Sequence, residues 1–397
     1  MSGGHRGRQA KIEDLGLADR GEFGPAGPRS PARPHGTIPA LDGFRAMAII
    51  IVMLSHMGLS AIVPGQFGVT LFFFLSGYLI TTLLRRELMA DGRVNYKAFY
   101  LRRAVRIIPP MWLAICIAIL FSLVGLHPKL NPQWLLTDFV FLSNYFPGSS
   151  VYIGLWSLSV EEHFYLLFPI VAMTLIVRMD ATRCAVACAM ACAVLLALRV
   201  LAYQSLEDTA NIAVYTHTRI DSILFGSILA LWNNPVIDAE DRLPQIVPSY
   251  LIGGALLLIS FALRDDMFRF TLRYTVQGIA LIYIFNAAIR DTGWAHRLLE
   301  TRPLKLIGAL SYLLYLLHGI FIKATEPFPQ SLGGFAAAAI GLTLAFALSY
   351  VLHNHMEKPL ALWRRRLETS WRERDERAAT DLRTSPAPNT APDDRLS

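Results

Sequence analysis

Charged side chains are scarce in this sequence. Asp, Glu, Lys and Arg make up 17% of its 397 residues, where a soluble domain carries roughly a quarter. The shortage excludes an ordinary water-soluble globule, and a hydrophobic content of 54% places the chain among membrane proteins. Cysteine is scarce too: four cysteines cannot staple a disulfide-rich secreted scaffold. Three of them, Cys184, Cys188 and Cys192, share a helical face. With no His or carboxylate in register, they read as small residues packing between membrane helices and not as a metal site. HExxH, CxxC and GxSxG are missing, which removes the simplest metalloenzyme and serine-hydrolase readings. No signal-peptide pattern opens the sequence, because nearly forty polar, Gly/Pro-rich residues precede the first apolar run. The net charge of +7 does not point to nucleic acid. The basic residues lie at the edges of apolar stretches, not in a patch interleaved with exposed aromatics.

What the sequence has in abundance is apolar stretches. Those long enough to cross a bilayer fall at roughly 41–62, 66–84, 109–126, 155–177, 184–203, 212–232, 248–263, 270–289, 304–324 and 334–355. The expected fold class is therefore all-α: a polytopic membrane protein of about ten transmembrane helices. Segment 134–146 is apolar but short and reads as a re-entrant or interfacial piece. Lys and Arg set the orientation. With the N-terminus inside, 29 of the 37 fall on the inner side and 3 on the outer, and without the tails the loops alone give 14 to 3. Both termini are thus expected in the cytoplasm. Residues 1–38 read as a disordered tail, 39–360 as one membrane domain, and 361–397 as a basic, largely disordered tail.

Ionisable groups inside apolar stretches are costly and usually face protein or a wet cavity, so they are the first candidates for function. Arg45 and His56 both lie in IPALDGFRAMAIIIVMLSHMG, 11 residues apart. At about 3.6 residues per turn that is close to three turns, which puts them on one face roughly 16 Å apart. Each alone reads as a snorkelling arginine or a structural histidine; together they point to function. In GQFGVTLFFFLSGYLITTLLRR, Gly68, Ser76 and Gly77 permit close helix approach, and Ser76 can bond across the interface. Arg102, Arg103 and Arg106 in KAFYLRRAVRIIPPMW stand at the cytoplasmic mouth of the third span. Ordinary positive-inside charge explains them in isolation, but guanidinium forks also suit bidentate phosphate binding. Glu161, Glu162 and His163 in LWSLSVEEHFYLLFPI are expected at the outer end of the fourth span. Carboxylates there favour a helix dipole, yet a carboxylate beside a histidine is also the minimum for general acid–base work. Arg219 and Asp221 in THTRIDSILFGSILAL read most simply as a structural ion-pair element. His318 in SYLLYLLHGI is intramembrane and within reach of the same site. His353 and His355, near Glu357, read as anchors at the inner surface.

The ordered set of these stretches resembles the acyltransferase family 3, integral-membrane O-acyltransferases of bacterial surface sugars and some secondary metabolites. The matching pieces are LDGFRAMAII…SH, GVTLFFFLSGYLI, FYLRRAVRIIPPMW, LWSLSVEEHFYLLFP, TRIDSILFGSILA, SYLLYLLH and EKPL. The resemblance implies ten helices in the bacterial cytoplasmic (inner) membrane. It also implies transfer of an acyl group, most often acetyl, from cytosolic acyl-CoA to a hydroxyl of a glycan or glycolipid acceptor. The family's Arg–ten residues–His motif falls on Arg45 and His56, its Arg–two residues–Arg motif on Arg103 and Arg106, and its acidic motif on Glu161 and Glu162. His163 departs from the Gln that relatives often carry. Some members add a C-terminal SGNH-type domain; here a short cytoplasmic tail is expected instead, so any second transfer stage falls to the membrane domain or a partner. The resemblance implies no permanently bound cofactor, with acyl-CoA as co-substrate. His56 is then expected to act as base or acyl carrier, a glutamate to orient it, and Arg45, Arg103 and Arg106 to hold the CoA phosphates. The competing reading is a proton-coupled transporter or flippase of a lipid-linked sugar. Transporters often show internal repeats, and none relates 41–203 to 212–355.

Overall fold

The computed structural model describes residues 38, 40–146, 154–205, 209–326 and 333–384. The chain divides into 1–38 and 39–397, and the described helices all belong to the second unit. Apart from Ile38, the tail expected at 1–38 lies outside the described residues, as do residues 385–397.

Among the described residues all regular structure is helical. The elements are α1 (Leu41–Leu54), α2 (Gly65–Asp91), α3 (Tyr96–Leu123), α4 (Pro132–Phe139), α5 (Leu155–Arg178), α6 (Ala181–Ser205), α7 (Thr216–Arg219), α8 (Asp221–Trp232), α9 (Ile246–Ala262), α10 (Asp266–Phe270), α11 (Leu272–Arg290), α12 (Trp294–Leu299), α13 (Arg302–Thr325), α14 (Gly334–Leu352) and α15 (Lys358–Thr384). Among the described residues, seven helices are long and apolar enough to cross a membrane: α1 with the turn that follows it, α2, α3, α6, α11, α13 and the continuous run Gly334–Trp371. The protein is a multi-pass membrane protein. Its outward side chains agree: Val186, Met190, Val194 and Leu198, four apart on α6, form an exposed apolar stripe that lipid suits and water does not.

The remaining expected spans meet helices of other shapes. The stretch at 155–177 is α5, 24 residues long, with Glu161, Glu162 and His163 breaking its apolarity. The stretch at 248–263 is α9, 17 residues. The stretch at 212–232 is broken into a 3-10 turn at Thr209–Ala213, α7, and an α8 of only 12 residues. Segment 134–146 forms α4, eight residues capped by the Asn131 side chain, too short to cross. Two expectations are corrected. The third helix begins not near 109 but at Tyr96, where the Asn95 side chain caps it by accepting the Ala98 N–H at 2.9 Å. It therefore passes through Pro109 and Pro110, which deny the carbonyls of Val105 and Arg106 their helical donors. Residues 361–384, expected to be largely disordered, are helical: α15 continues from α14 through a π-helical turn at His353–Glu357.

Packing runs through α2, which lies against α1 and α8; α1 lies against α13, and α13 against α14. On the other side α8 meets α6 and α11, and α11 meets α9. Glycines make the closest of these approaches possible. A Cβ on Gly77 would overlap the Ile223 carbonyl of α8, and one on Gly226 would overlap the Phe74 carbonyl of α2. The cysteine face of α6 packs as small residues do, with Cys184 and Ala185 against Leu231 of α8. At the start of α1, the Ala40 N–H donates to Glu300 Oε1 at 2.7 Å, and Lys305 pairs with the same carboxylate. Burial opposes the Glu300 charge, but the Ala40 N–H and Lys305 outweigh it and hold its carboxyl below the usual range. The tether thus contributes stability above the ordinary carboxylate pKa of about 4.3 and loses it as pH falls.

The deepest charges pair differently from expectation. Asp221 bonds not Arg219 but Arg199 of α6, at 3.1 and 2.8 Å, with both side chains fully buried. Arg219 instead donates to Thr70 Oγ1 at 3.0 Å and stacks over the Tyr274 ring at 3.6 Å. Sequence spacing favoured the near neighbour, but residues two apart on a helix point to different sides. Removing one member of a buried pair strands the other charge. Asp221→Ala is therefore expected to cost about 3–5 kcal/mol, and replacing both members by apolar residues to recover most of it. Thermal unfolding of the detergent-solubilised protein tests this; an Asp221→Ala midpoint equal to wild type contradicts it.

Candidate active site

Five helices enclose one polar cavity. It is lined by Arg45 of α1, Ser76 of α2, Arg103 and Arg106 of α3, Ser157, Glu161 and Tyr165 of α5, and Ser311, Tyr312 and Tyr315 of α13. Apolar walls come from Phe72, Phe73 and Leu79. Buried polar groups in such a setting must be bonded to one another or to a ligand. Glu161 is held at both oxygens: Ser76 donates to Oε1 at 3.2 Å and the Tyr165 hydroxyl reaches Oε2 at 3.0 Å. Tyr165 also meets Ser76 at 2.9 Å, which closes a triangle between α2 and α5. The Arg103 guanidinium lies over the Tyr165 ring at 4.9 Å, a cation–π contact that holds its fork toward the cavity. Tyr312 donates to the Ile107 carbonyl at 2.8 Å, and Tyr315 bonds Ser157 at 2.6 Å, tying α13 to α3 and α5.

The arginines divide. Arg45 is paired with Asp42 at 2.8 Å, one turn earlier on its own helix. Arg102 points away from the cavity to Glu87 at 3.2 Å and Glu368 at 3.6 Å. Arg103 and Arg106 line the cavity, and neither makes an ion pair among the described residues.

His56 stands elsewhere. Regular α-helix stops at Leu54, and His56 lies in a π-helical turn, Ser55–Leu59, where Gly58 has φ 96°. The wider turn breaks the straight register that would have carried Arg45 and His56 on one regular helical face. The expected Glu161–His56 contact is replaced: both Glu161 oxygens are taken by Ser76 and Tyr165, and the partner of His56 is His318. His318 Nε2 lies 3.3 Å from His56 Nδ1. Proton positions follow from the neighbours. His318 Nδ1 faces the carbonyls of Leu314 and Tyr315 at 3.0 and 2.8 Å, and carbonyls only accept, so Nδ1 carries the proton. Its Nε2 is then an acceptor, and the hydrogen between the rings belongs to His56 Nδ1, which also faces the Val52 carbonyl at 3.0 Å. Neutral His56 consequently has its lone pair on Nε2. His318 is fully buried and His56 exposed.

Other candidates sit around this frame. Glu162 does not line the cavity, and its buried Oε1 makes no hydrogen bond among the described residues. His163 bonds Thr216 Oγ1 at 2.7 Å and so anchors α5 to α7. Asp221 belongs to the buried pair with Arg199 of α6, and Arg219 to the contact with Thr70 and Tyr274. Five polar cavity residues escaped the sequence reading: Ser157, Tyr165, Ser311, Tyr312 and Tyr315. Tyr165 is one helical turn from Glu161, and Tyr312 and Tyr315 are three apart. Those spacings were visible, but tyrosines in apolar helices read as core.

A family described as "Acyltransferase domain" has a sequence model that matches residues 38–354. Among curated proteins the chain is similar to the O-acetyltransferase OatA of Staphylococcus aureus (strain NCTC 8325 / PS 47), 30% identical over 345 residues, which cover 81% of this chain and 57% of that protein. It is also similar to a putative O-acetyltransferase of S. aureus strain COL, 27% identical over 310 residues, covering 71% of this chain and 50% of that one. The chain thus spans about half the length of the relatives it matches. No solved structure matches it.

Proposed function

The chain belongs to the acyltransferase domain family, and on that premise we propose that it transfers an acyl group, acetyl foremost, from acyl-CoA to a sugar hydroxyl of a cell-surface or exported glycan. The observation that carries the reading is a cavity between five helices in which Arg103 and Arg106 present guanidinium groups without carboxylate partners among the described residues. Arginine forks that no carboxylate bridges among the described residues suit a pyrophosphate, each oxygen pair matching a fork. The proposal includes ten spans in the bacterial cytoplasmic membrane, with both termini inside. The Lys and Arg distribution supports a cytoplasmic side for the arginine-bearing start of α3, the side from which acyl-CoA would enter.

His56 supplies the base. A sugar hydroxyl attacks the thioester carbonyl, a carbon–oxygen bond forms and the carbon–sulfur bond breaks. His56 Nε2 takes the hydroxyl proton and returns it to the departing thiolate. Transfer through an acyl-His56 intermediate uses the same Nε2 lone pair as nucleophile. In either route His318 acts through His56: by accepting from Nδ1 it keeps the lone pair on Nε2 and steadies the cation that develops. Glu161 with Ser76 and Tyr165 positions Arg103 through the Tyr165 ring. Nothing in the site favours the transporter reading.

Purified protein incubated with labelled acetyl-CoA and a glycan acceptor is expected to release CoA and to label the acceptor; failure to consume acetyl-CoA in the presence of acceptors contradicts the reading. Comparing surface glycans by NMR before and after deletion of the protein identifies the acylated sugar. For His318, the expected split is between rate and binding. His318→Ala is expected to lower kcat about 10–100-fold with KM for acyl-CoA little changed, and His318→Gln, which keeps an acceptor, to retain more. Equal loss in both variants, or a loss confined to KM, argues against the positioning role.

A further inference from the structure

We infer that Arg364 of α15 forms an outer station of the donor site and holds the phosphate on the ribose ring of the CoA nucleotide. The inference rests on the acyl-CoA reading of the cavity. The family match ends at residue 354, before α15 begins. Two contacts, Arg102 with Glu368 and Lys97 with Trp371, lay α15 along the first turns of α3, the turns that carry Arg103 and Arg106. Arg102 bridges Glu87 of α2 and Glu368 of α15. Arg364 pairs with the same Glu368 at 3.3 Å. Lys97 sits over the Trp371 ring at 4.2 Å. Arg364 is close enough to Arg102 and Arg106 to be repelled by both. Arg102 and Arg364 thus share Glu368, Arg102 also reaches Glu87, and Arg106 stands near enough to add its charge. Three guanidinium groups against two carboxylates leave an excess of positive charge beside the start of α3, and the Arg364 side chain remains 20% exposed.

Like charges held together in this way need an anion. The CoA nucleotide offers two at different places, a pyrophosphate toward the pantetheine arm and a separate phosphate on the ribose. Arg103 and Arg106 line the cavity that the arm would enter; Arg364 lies outside its lining, on the helix beside it. That order matches the order of phosphates along the molecule.

The test compares acetyl-CoA with acetyl-dephospho-CoA, which lacks only the ribose phosphate, using the full chain in detergent or nanodiscs. Wild type is expected to favour acetyl-CoA in KM by about tenfold, the value of one charge-assisted contact. Arg364→Ala is expected to bring that preference close to one, while Arg103→Ala raises both KM values and keeps it. Glu368→Gln removes the link between Arg364 and Arg102 but leaves the Arg364 charge, and should preserve the preference. A wild type that does not discriminate, an Arg364→Ala variant that still does, or a Glu368→Gln variant that loses discrimination to the same degree overturns the inference and leaves the donor reading standing. If wild type consumes neither thioester, the donor reading fails and the inference with it.

Discussion

Replacing His56 with alanine is expected to reduce acyl transfer by about 10²–10⁴-fold, the range that a positioned general base contributes, and by more if the residue carries the acyl group. The size of the effect follows from what His56 alone supplies. Hydroxyls are weak nucleophiles near neutral pH, and the His318 contact fixes the His56 lone pair on Nε2. Expression and thermal stability should change little, because His56 is exposed and lies in a π turn at the end of α1, with its ring outside the packed core. Measuring acceptor labelling and the unfolding midpoint on one preparation separates the two. His56→Gln is expected to be as inactive as alanine in either route, since an amide neither takes a proton nor forms the acyl intermediate. Near-normal labelling by either variant rules His56 out as base and as carrier.

Loss of the α3 arginines is expected to act on the donor. Arg103→Ala and Arg106→Ala should each raise KM for acyl-CoA by about 10–100-fold, as removal of a charge-assisted contact worth roughly 1.5–3 kcal/mol requires. Their lysine variants should part company. Arg106 is exposed and carries no stacking contact, so a lysine point charge restores part of its function. Arg103 lies over the Tyr165 ring, and a flexible ammonium reproduces neither the planar stack nor the fork, so Arg103→Lys should resemble Arg103→Ala. Steady-state kinetics with acyl-CoA as the varied substrate checks this. Unchanged acyl-CoA saturation in both alanine variants contradicts phosphate binding by α3.

Much of the site was legible along the chain. Arg45 and Glu161 stood out as charges within apolar flanks, Ser76 as a hydroxyl able to bond across a helix interface, and Arg103 and Arg106 as guanidinium forks at the mouth of a span; the cavity collects all five. Between adjacent Glu161 and Glu162 the sequence offered no choice, whereas packing did: Glu161 turns to Ser76 across the α2–α5 contact, and Glu162 does not reach the cavity. The pairing of His56 with His318 joins positions 262 residues apart. Intervening chain says nothing about such a contact, which arises only where α1 lies on α13. The same limit hid the Arg199–Asp221 bond, since nearness in sequence had favoured Arg219.

By itself, then, the amino-acid sequence determined the membrane class, the all-helical character and the residues too costly to bury without purpose. These are consequences of transfer free energy and helical period, which act residue by residue. Tertiary structure alone decided which of those residues meet. It gathered the arginines and Glu161 into one cavity, gave His56 a histidine in place of a carboxylate, and laid α15 against α3. Partner choice depends on helix contacts between distant parts of the chain, where close approach is permitted at positions such as Gly77 and Gly226 and each buried polar group must find a hydrogen-bond partner.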